Sequence, residues 1–293
     1  MPDTGLYFMT ARDFQKERPR CLRLLETGLS DAFMNMAIDE AIAHHAGEKE
    51  APPTLRLYGW QTPTVSVGYG QSVKRKLNLA ALEGLGWSYV RRATGGGAVV
   101  HRFEVTYSFT AHQDFFAGAP GVAASHRFIS RGVIRGLRAM GVKAGFKTDA
   151  LQGPGPRPGW SEFNCFAAPI DSDITVDGKK IAGSAQTRRQ GAVLQHGSVL
   201  IDFDHERQLE ILRFSSDAAR NKLRSLLANG VTSLNCVLNR AVTFDEVCAA
   251  LKKGFSEEFT CVLREDALTG PERVTANHLA EHKYRTPEWN DRR

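Results

Sequence analysis

The chain has 293 residues, 42% hydrophobic and 24% charged, proportions that exclude wholesale disorder and fit one large folded domain or two smaller ones. A formal charge of +6 suits an acidic partner but is too small to demand nucleic acid. No stretch approaches the apolar run of a membrane span, and residues 1–20 are polar with no apolar core of a secretory signal, so the cytoplasm is the expected compartment.

Residues 1–20 read as a polar leader and 21–26 as a first strand. Over 31–45, Met34, Ala37, Ile38, Ala41 and Ile42 recur at helical spacing, with Ser30 or Asp31 as the cap. Short strands at 54–58 and 64–69 flank the turn-forming Gln61-Thr62-Pro63, and 77–85 reads as a helix. Strand 88–91 leads to Gly95-Gly96-Gly97, followed by strands 98–100 and 104–110. A helix over 125–140 stops at Gly141, and 152–159 is a Gly/Pro-rich loop. Strands 174–176 and 180–186 around Asp177-Gly178 form a hairpin, and 192–203 is a further strand. Helices are expected over 209–227 and 244–259, then a polar tail from 269 with one short helix. Strands and helices mix without a regular βαβ alternation, which predicts an α+β fold with a mixed, largely antiparallel sheet flanked by helices. With no evident linker, residues 21–262 are expected to form one catalytic domain and 263–293 a C-terminal extension.

Five cysteines, at 21, 165, 236, 248 and 261, are odd in number and none is spaced C-x-x-C. That argues against a disulfide framework and a structural zinc site. Nor do the histidines form a metal-binding pattern. Cys248 sits in a periodic apolar segment, whereas Cys165 follows polar Ser161, Glu162 and Asn164. Cys165 reads either as a buried inert thiol or as a nucleophile, and the second needs a cationic neighbour to hold a thiolate. Lys180, entering the small-residue run Ala182-Gly183-Ser184-Ala185, is a candidate for that cation or an ordinary edge-strand lysine. The three glycines after Arg91-Arg92 read equally as a flexible turn or as backbone that a ligand approaches closely. His101 and His196 lie near glycine-rich turns. Neither a Walker loop, a dinucleotide-binding G-x-G-x-x-G nor a G-x-S-x-G elbow occurs.

Three ordered motifs carry a resemblance: Met36-Ala37-Ile38-Asp39-Glu40-Ala41, Arg92-Ala93-Thr94-Gly95-Gly96-Gly97-Ala98-Val99-Val100-His101, and Asp177-Gly178-Lys179-Lys180-Ile181-Ala182-Gly183-Ser184-Ala185-Gln186. Together they resemble the biotin/lipoate protein ligase superfamily. Asn164-Cys165-Phe166 with Pro169 is similar to the cysteine-dependent octanoyltransferase branch. The resemblance implies catalysis by Cys165 and Lys180, and substrate binding by Arg92, Gly95, Gly96, Gly97, His101, Gly183 and Gln186. It also implies octanoyl-acyl carrier protein as donor and a lipoyl-domain protein, such as the glycine-cleavage H protein, as acceptor, with no cofactor, metal, nucleic acid or membrane. An octanoyl amidotransferase and an ATP-dependent lipoate or biotin ligase are the rivals within the superfamily. A non-catalytic carrier-binding protein is the rival outside enzymes, marked by loss of the cysteine–lysine pair.

Overall fold

The computed structural model describes residues 21–119, 121–147 and 173–292. The expected leader 1–20, the loop 152–159 and Cys165 lie outside the described residues. The chain opens with β1 (Cys21–Ser30), α1 (Ala32–Gly47), β2 (Thr54–Trp60) and β3 (Thr64–Val67). After them come α2 (Val73–Lys76), α3 (Leu79–Gly84), β4 (Ser88–Arg91), β5 (Val99–His101) and β6 (Glu104–His112). Next are α4 (Val122–Ala139), β7 (Gly145–Phe146), β8 (Ile174–Val176), β9 (Lys179–Arg189) and β10 (Ala192–Leu200). The chain continues through α5 (His205–Ile211), α6 (Asp217–Gly230), α7 (Leu234–Leu238), α8 (Phe244–Phe259) and β11 (Val262–Glu265). It closes with α9 (Gly270–Leu279) and α10 (Pro287–Asn290).

The expected α+β architecture is present. Eight strands form a mixed sheet in the order β11-β1-β2-β6-β10-β9-β8-β7, and β4-β3-β5 form a smaller one. Among the described strands of the large sheet only β1 pairs in parallel, with β2 and β11. β6 shows why this sheet has two unlike faces. Its apolar residues Val105, Tyr107 and Phe109 alternate with polar Glu104, Thr106 and Ser108, and both sets are buried. Alternation normally sends the polar set to water. Here the register places Arg56 and Tyr58 of β2 and His196 and Ser198 of β10 beside that polar set. On the opposite face Leu55, Leu57, Tyr107, Phe109, Ala182 and Val199 join one core with α4 and α8. There Phe109 lies stacked on Phe255, their centroids 6.0 Å apart. A buried polar face must satisfy its own hydrogen bonds, and this requirement builds the site described below.

Four expectations change, the first being that the tail from 269 carries two helices, α9 and α10, rather than one. The helix predicted over 209–227 is two helices, α5 and α6, separated at Leu212–Ser216. Leu212 stays half-buried in the apolar cluster while its backbone bridges Leu77, so the apolar rhythm runs on through a break in the helix. Ser216 then caps α6 by accepting from the Ala219 amide. The helix predicted from 77 begins at Leu79, because Leu77 lies in that bridge and the Asn78 side chain accepts from the Ala81 amide. The strand Val262–Glu265 was not expected. Its partner is β1, more than two hundred residues away, and local pattern carries no trace of such pairing.

The C-terminal residues fasten the start of the glycine run. Asn290 Oδ1 accepts from the Arg91 amide at 2.8 Å, and Trp289 Nε1 donates to the Arg91 carbonyl at 2.8 Å. Lys283 donates to Glu40 Oε1 at 2.6 Å, and Tyr284 donates to the same carboxylate. Among the described residues no helix is long and apolar enough to cross a membrane.

Candidate active site

Asp39 of α1 lies over the polar sheet face and is its anchor. Arg56 Nη1 donates to Asp39 Oδ1 at 2.7 Å, Ser108 Oγ to the same oxygen at 2.8 Å, and Tyr58 OH to Oδ2 at 2.9 Å. Burial pushes the carboxyl up, but the Arg56 guanidinium, with His196 and Ser108, outweighs it and holds the pKa at about 2.

Arg92 is the hub between this anchor and the glycines. Its Nη2 donates to the carbonyls of Gly95 at 2.6 Å and Gly97 at 2.7 Å. Its Nε donates to Thr94 Oγ1 at 3.1 Å, and its Nη1 to Ser66 Oγ at 3.1 Å. Each hydroxyl then faces a histidine: Thr94 Oγ1 is 2.7 Å from His196 Nε2, and Ser66 Oγ is 2.7 Å from His101 Nε2. Each imidazole has a carboxylate on its other nitrogen, Asp39 at 3.1 Å and Glu104 at 2.7 Å. Because Arg92 donates into both hydroxyls, each hydroxyl proton is directed to a histidine Nε2, and each Nδ1–H points to its carboxylate. Burial is the largest influence on His196 and holds its pKa below the usual value, against the pull of Asp39. Trp60 stacks on the His101 ring with centroids 4.0 Å apart. The glycine run is therefore held from within by Arg92. Its seat on the smaller sheet is equally tight, since a Cβ on Gly68 would stand 2.0 Å from the Gly96 carbonyl oxygen. Gly96 itself adopts a φ of 90°, which favours glycine.

Lys180 reaches the same face through a bulge. Ile174 pairs with Ala182 but Thr175 with Lys180, so Ile181 is an extra residue in β9 and the strand's alternation shifts there. The Lys180 chain consequently lies against Gly183, which strict alternation would place on the other side. A Cβ on Gly183 would stand 2.6 Å from Lys180 Cε and 2.8 Å from Nζ. Asp173 Oδ1 accepts from Nζ at 2.8 Å, and both residues are only 3% exposed. Gly183 is in register with Ser198, whose hydroxyl lies 3.4 Å from His101 Nδ1. That row joins the lysine to the glycine-run half of the site. Gly183→Ala should displace the pinned ammonium: kcat is expected to fall about tenfold, with a stability loss of about 1–3 kcal/mol from overpacking. Steady-state activity beside a thermal melt tests this, and an unchanged kcat would refute the seat.

Of the sequence candidates, Arg92, Gly95, Gly97 and His101 share one network, and Lys180 packs against Gly183. Gln186 lies on the opposite sheet face, accepting from Ser125 Oγ at 3.0 Å and donating to Gln195 Oε1 at 3.1 Å. Cys165 is outside the described residues. Of the other cysteines, Cys248 is buried in the apolar core, where burial pushes its thiol up to about 12. Sequence reasoning missed Asp173, Arg56 and His126. His126 Nε2 lies 2.9 Å from Ser184 Oγ while its buried Nδ1 has no partner among the described residues. Burial holds its pKa below the usual value, although Asp173 pulls it up. Only Asp173 had a usable signal, a carboxylate entering the strand that turns back onto Lys180. Among the described residues no three His, Cys, Asp or Glu side chains are grouped to hold a metal.

Residues 31–256 match the Lipoyl protein ligase A/B catalytic domain. The chain belongs to that family. Relatives in the lipoyl ligase family include Octanoyltransferase LipM of Kyrpidia tusciae, 44% identical with 92% of this chain and 98% of the relative covered. Octanoyltransferase LipM of Bacillus subtilis is 36% identical over the same shares. Among solved structures, a bi-partite lipoate protein ligase of Thermoplasma acidophilum superposes with a TM-score of 0.72 at 30% identity, covering 94% of this chain and 96% of that one. A lipoate-protein ligase A bound with ATP gives 0.74 at 29% identity, covering 94% and 99%. The lipoyl ligase fold is thus shared across proteins named for ligation and for acyl transfer, and the site chemistry must separate them.

Proposed function

We propose that this protein is an octanoyltransferase of lipoate synthesis that moves octanoate from acyl carrier protein to a lysine of a lipoyl-carrying protein, through a thioester on Cys165. One observation carries the reading beyond the relatives' names: a buried ammonium, Lys180, is pinned by Asp173 beside Gly183 on the polar face that also holds the glycine run. A fixed cation of this kind lowers the cost of a neighbouring thiolate and steadies the oxyanion formed on the acyl carbon.

The Cys165 thiolate attacks the octanoyl carbonyl, a new C–S bond forms, and the carrier's pantetheine leaves as a thiolate that takes a proton. A thioester replaces a thioester, so no ATP is required. The acceptor lysine, as its free amine, then attacks the acyl-cysteine; a C–N bond forms, the Cys165 thiolate leaves, and the amine gives up a proton. Arg92, Gly95, Gly96, Gly97 and His101 line the acyl side on this reading, Arg92 by shaping the glycine backbone. An eight-carbon chain buried there supplies about 0.8 kcal/mol per CH₂.

Intact mass after incubation with octanoyl-acyl carrier protein, with and without ATP, tests the proposal. One octanoyl adduct is expected without ATP and none on Cys165→Ser, whose transfer rate should fall at least about 10³-fold. A lipoate ligase remains the second reading because a structural neighbour was solved with ATP bound. Transfer of free octanoate to the lipoyl protein only with ATP and magnesium, with no octanoyl adduct on the enzyme, would establish that reading. Reaction with octanoylated lipoyl protein alone would identify an amidotransferase.

A further inference from the structure

The break between α5 and α6 opens a cavity of about 250 Å³. Two segments form it, stitched together by the Leu77–Leu212 bridge and by the Arg213 amide donating to the Lys76 carbonyl at 2.9 Å. Arg75, Lys76 and Arg213 line it, and no carboxylate does so among the described residues. Ala98, which closes the glycine run, forms one wall, and Ala219 and Leu223 of α6 form another. Lys74 and Lys222 stand exposed on the two flanking helices. The cavity is therefore lined by cations and bordered by the end of the glycine run.

α6 sets its distance from the reacting centre. The helix runs from Ala219 at the cavity to Gly230, about 16 Å along its axis at about 1.5 Å per residue. The next residue, Val231, is bridged to Lys180, and the Thr232 amide donates to the Lys180 carbonyl at 2.9 Å. A phosphopantetheine arm advances about 16 Å from phosphorus to sulfur when extended, at about 1.2 Å per bond. A phosphate in the cavity would thus place its thioester beside Lys180.

We infer that this cavity receives the phosphodiester of the donor's phosphopantetheine arm, and that Lys74 and Lys222 receive the acidic surface of the carrier protein around it. The inference rests on the octanoyltransferase reading and adds where the donor docks. The three cations of the cavity and the two flanking lysines should act mainly on association, and salt should screen them.

The test compares octanoyl-acyl carrier protein with octanoyl-N-acetylcysteamine, which carries no phosphate, using Arg75→Glu/Lys76→Glu. KM for the carrier substrate is expected to rise at least about tenfold at low salt, and this difference should shrink at high salt. kcat, and the rate with the small thioester, should stay within about twofold, which also reports an intact fold. An unchanged KM for the carrier substrate overturns the docking site, as does equal loss with both donors. Inhibition by ATP that the same substitutions relieve, with the carrier KM unchanged, overturns it in favour of a nucleotide seat. If the wild-type protein forms no octanoyl adduct with either donor, the octanoyltransferase reading itself falls. That outcome is distinct from failure of docking alone.

Discussion

Lys180→Met should lose nearly all transfer activity and unfold at markedly lower denaturant, whereas Asp173→Asn/Lys180→Met should regain the stability and none of the activity. Both charges are 3% exposed and 2.8 Å apart. Removing Lys180 takes the ammonium from a buried carboxylate, a defect that costs about 3–5 kcal/mol. Converting both to neutral groups removes the unbalanced charge, and replacing a buried pair by neutral residues is often close to neutral in stability. On the proposed mechanism catalysis has no such rescue, because there the ammonium itself acts on the thiolate and oxyanion. A loss of at least about 10²-fold in kcat/KM is expected for single and double variants alike, the scale of one lost oxyanion donor. Urea midpoints beside single-turnover rates separate the two effects. A double variant with near-normal turnover would reduce Lys180 to a structural residue.

Asp39→Ala should be the most destabilising single change on the polar face. It leaves Arg56, 0% exposed, without the carboxylate that neutralises it, at a cost of about 3–5 kcal/mol. His196 loses its Nδ1 acceptor at the same time, so the arrangement through Thr94 to Arg92 loosens and transfer should slow about tenfold even where the protein stays folded. The wild-type protein should show the same dependence through pH. Arg56, His196 and Ser108 hold the Asp39 pKa at about 2 against burial, below its ordinary 3.8. A depressed carboxyl stabilises the fold fully above about pH 4, and this contribution fades as pH falls toward 2. The difference amounts to about 2 kcal/mol. Urea midpoints between pH 5 and pH 2 should fall for the wild type with a component that Asp39→Asn lacks. Parallel curves for the two proteins would contradict this account of Asp39.

The sequence by itself determined the strands and helices whose apolar rhythm is local, the α+β class and the three motifs that mark the family. It also supplied Lys180, Arg92, His101 and the glycine run as residue types able to do acyl chemistry. Only the tertiary structure decided how they are used. Arg92 resembles an anion binder in sequence, yet it donates to Thr94, Ser66 and two glycine carbonyls, because a buried guanidinium must find acceptors. Gln186 adjoins Ser184 and Gly183 in the same motif, but period-two alternation turns it to the α4 face. Lys180 escapes that alternation because one extra residue bulges β9. Arg56 stays unmarked in sequence, and the motif that holds Asp39 and the strand that Asp173 enters do not show their roles, because each draws its role from a charge brought close by strand register or helix packing. A buried charge is defined by its nearest partner in space, and spacing along the chain carries that information only within a helix turn or a hairpin.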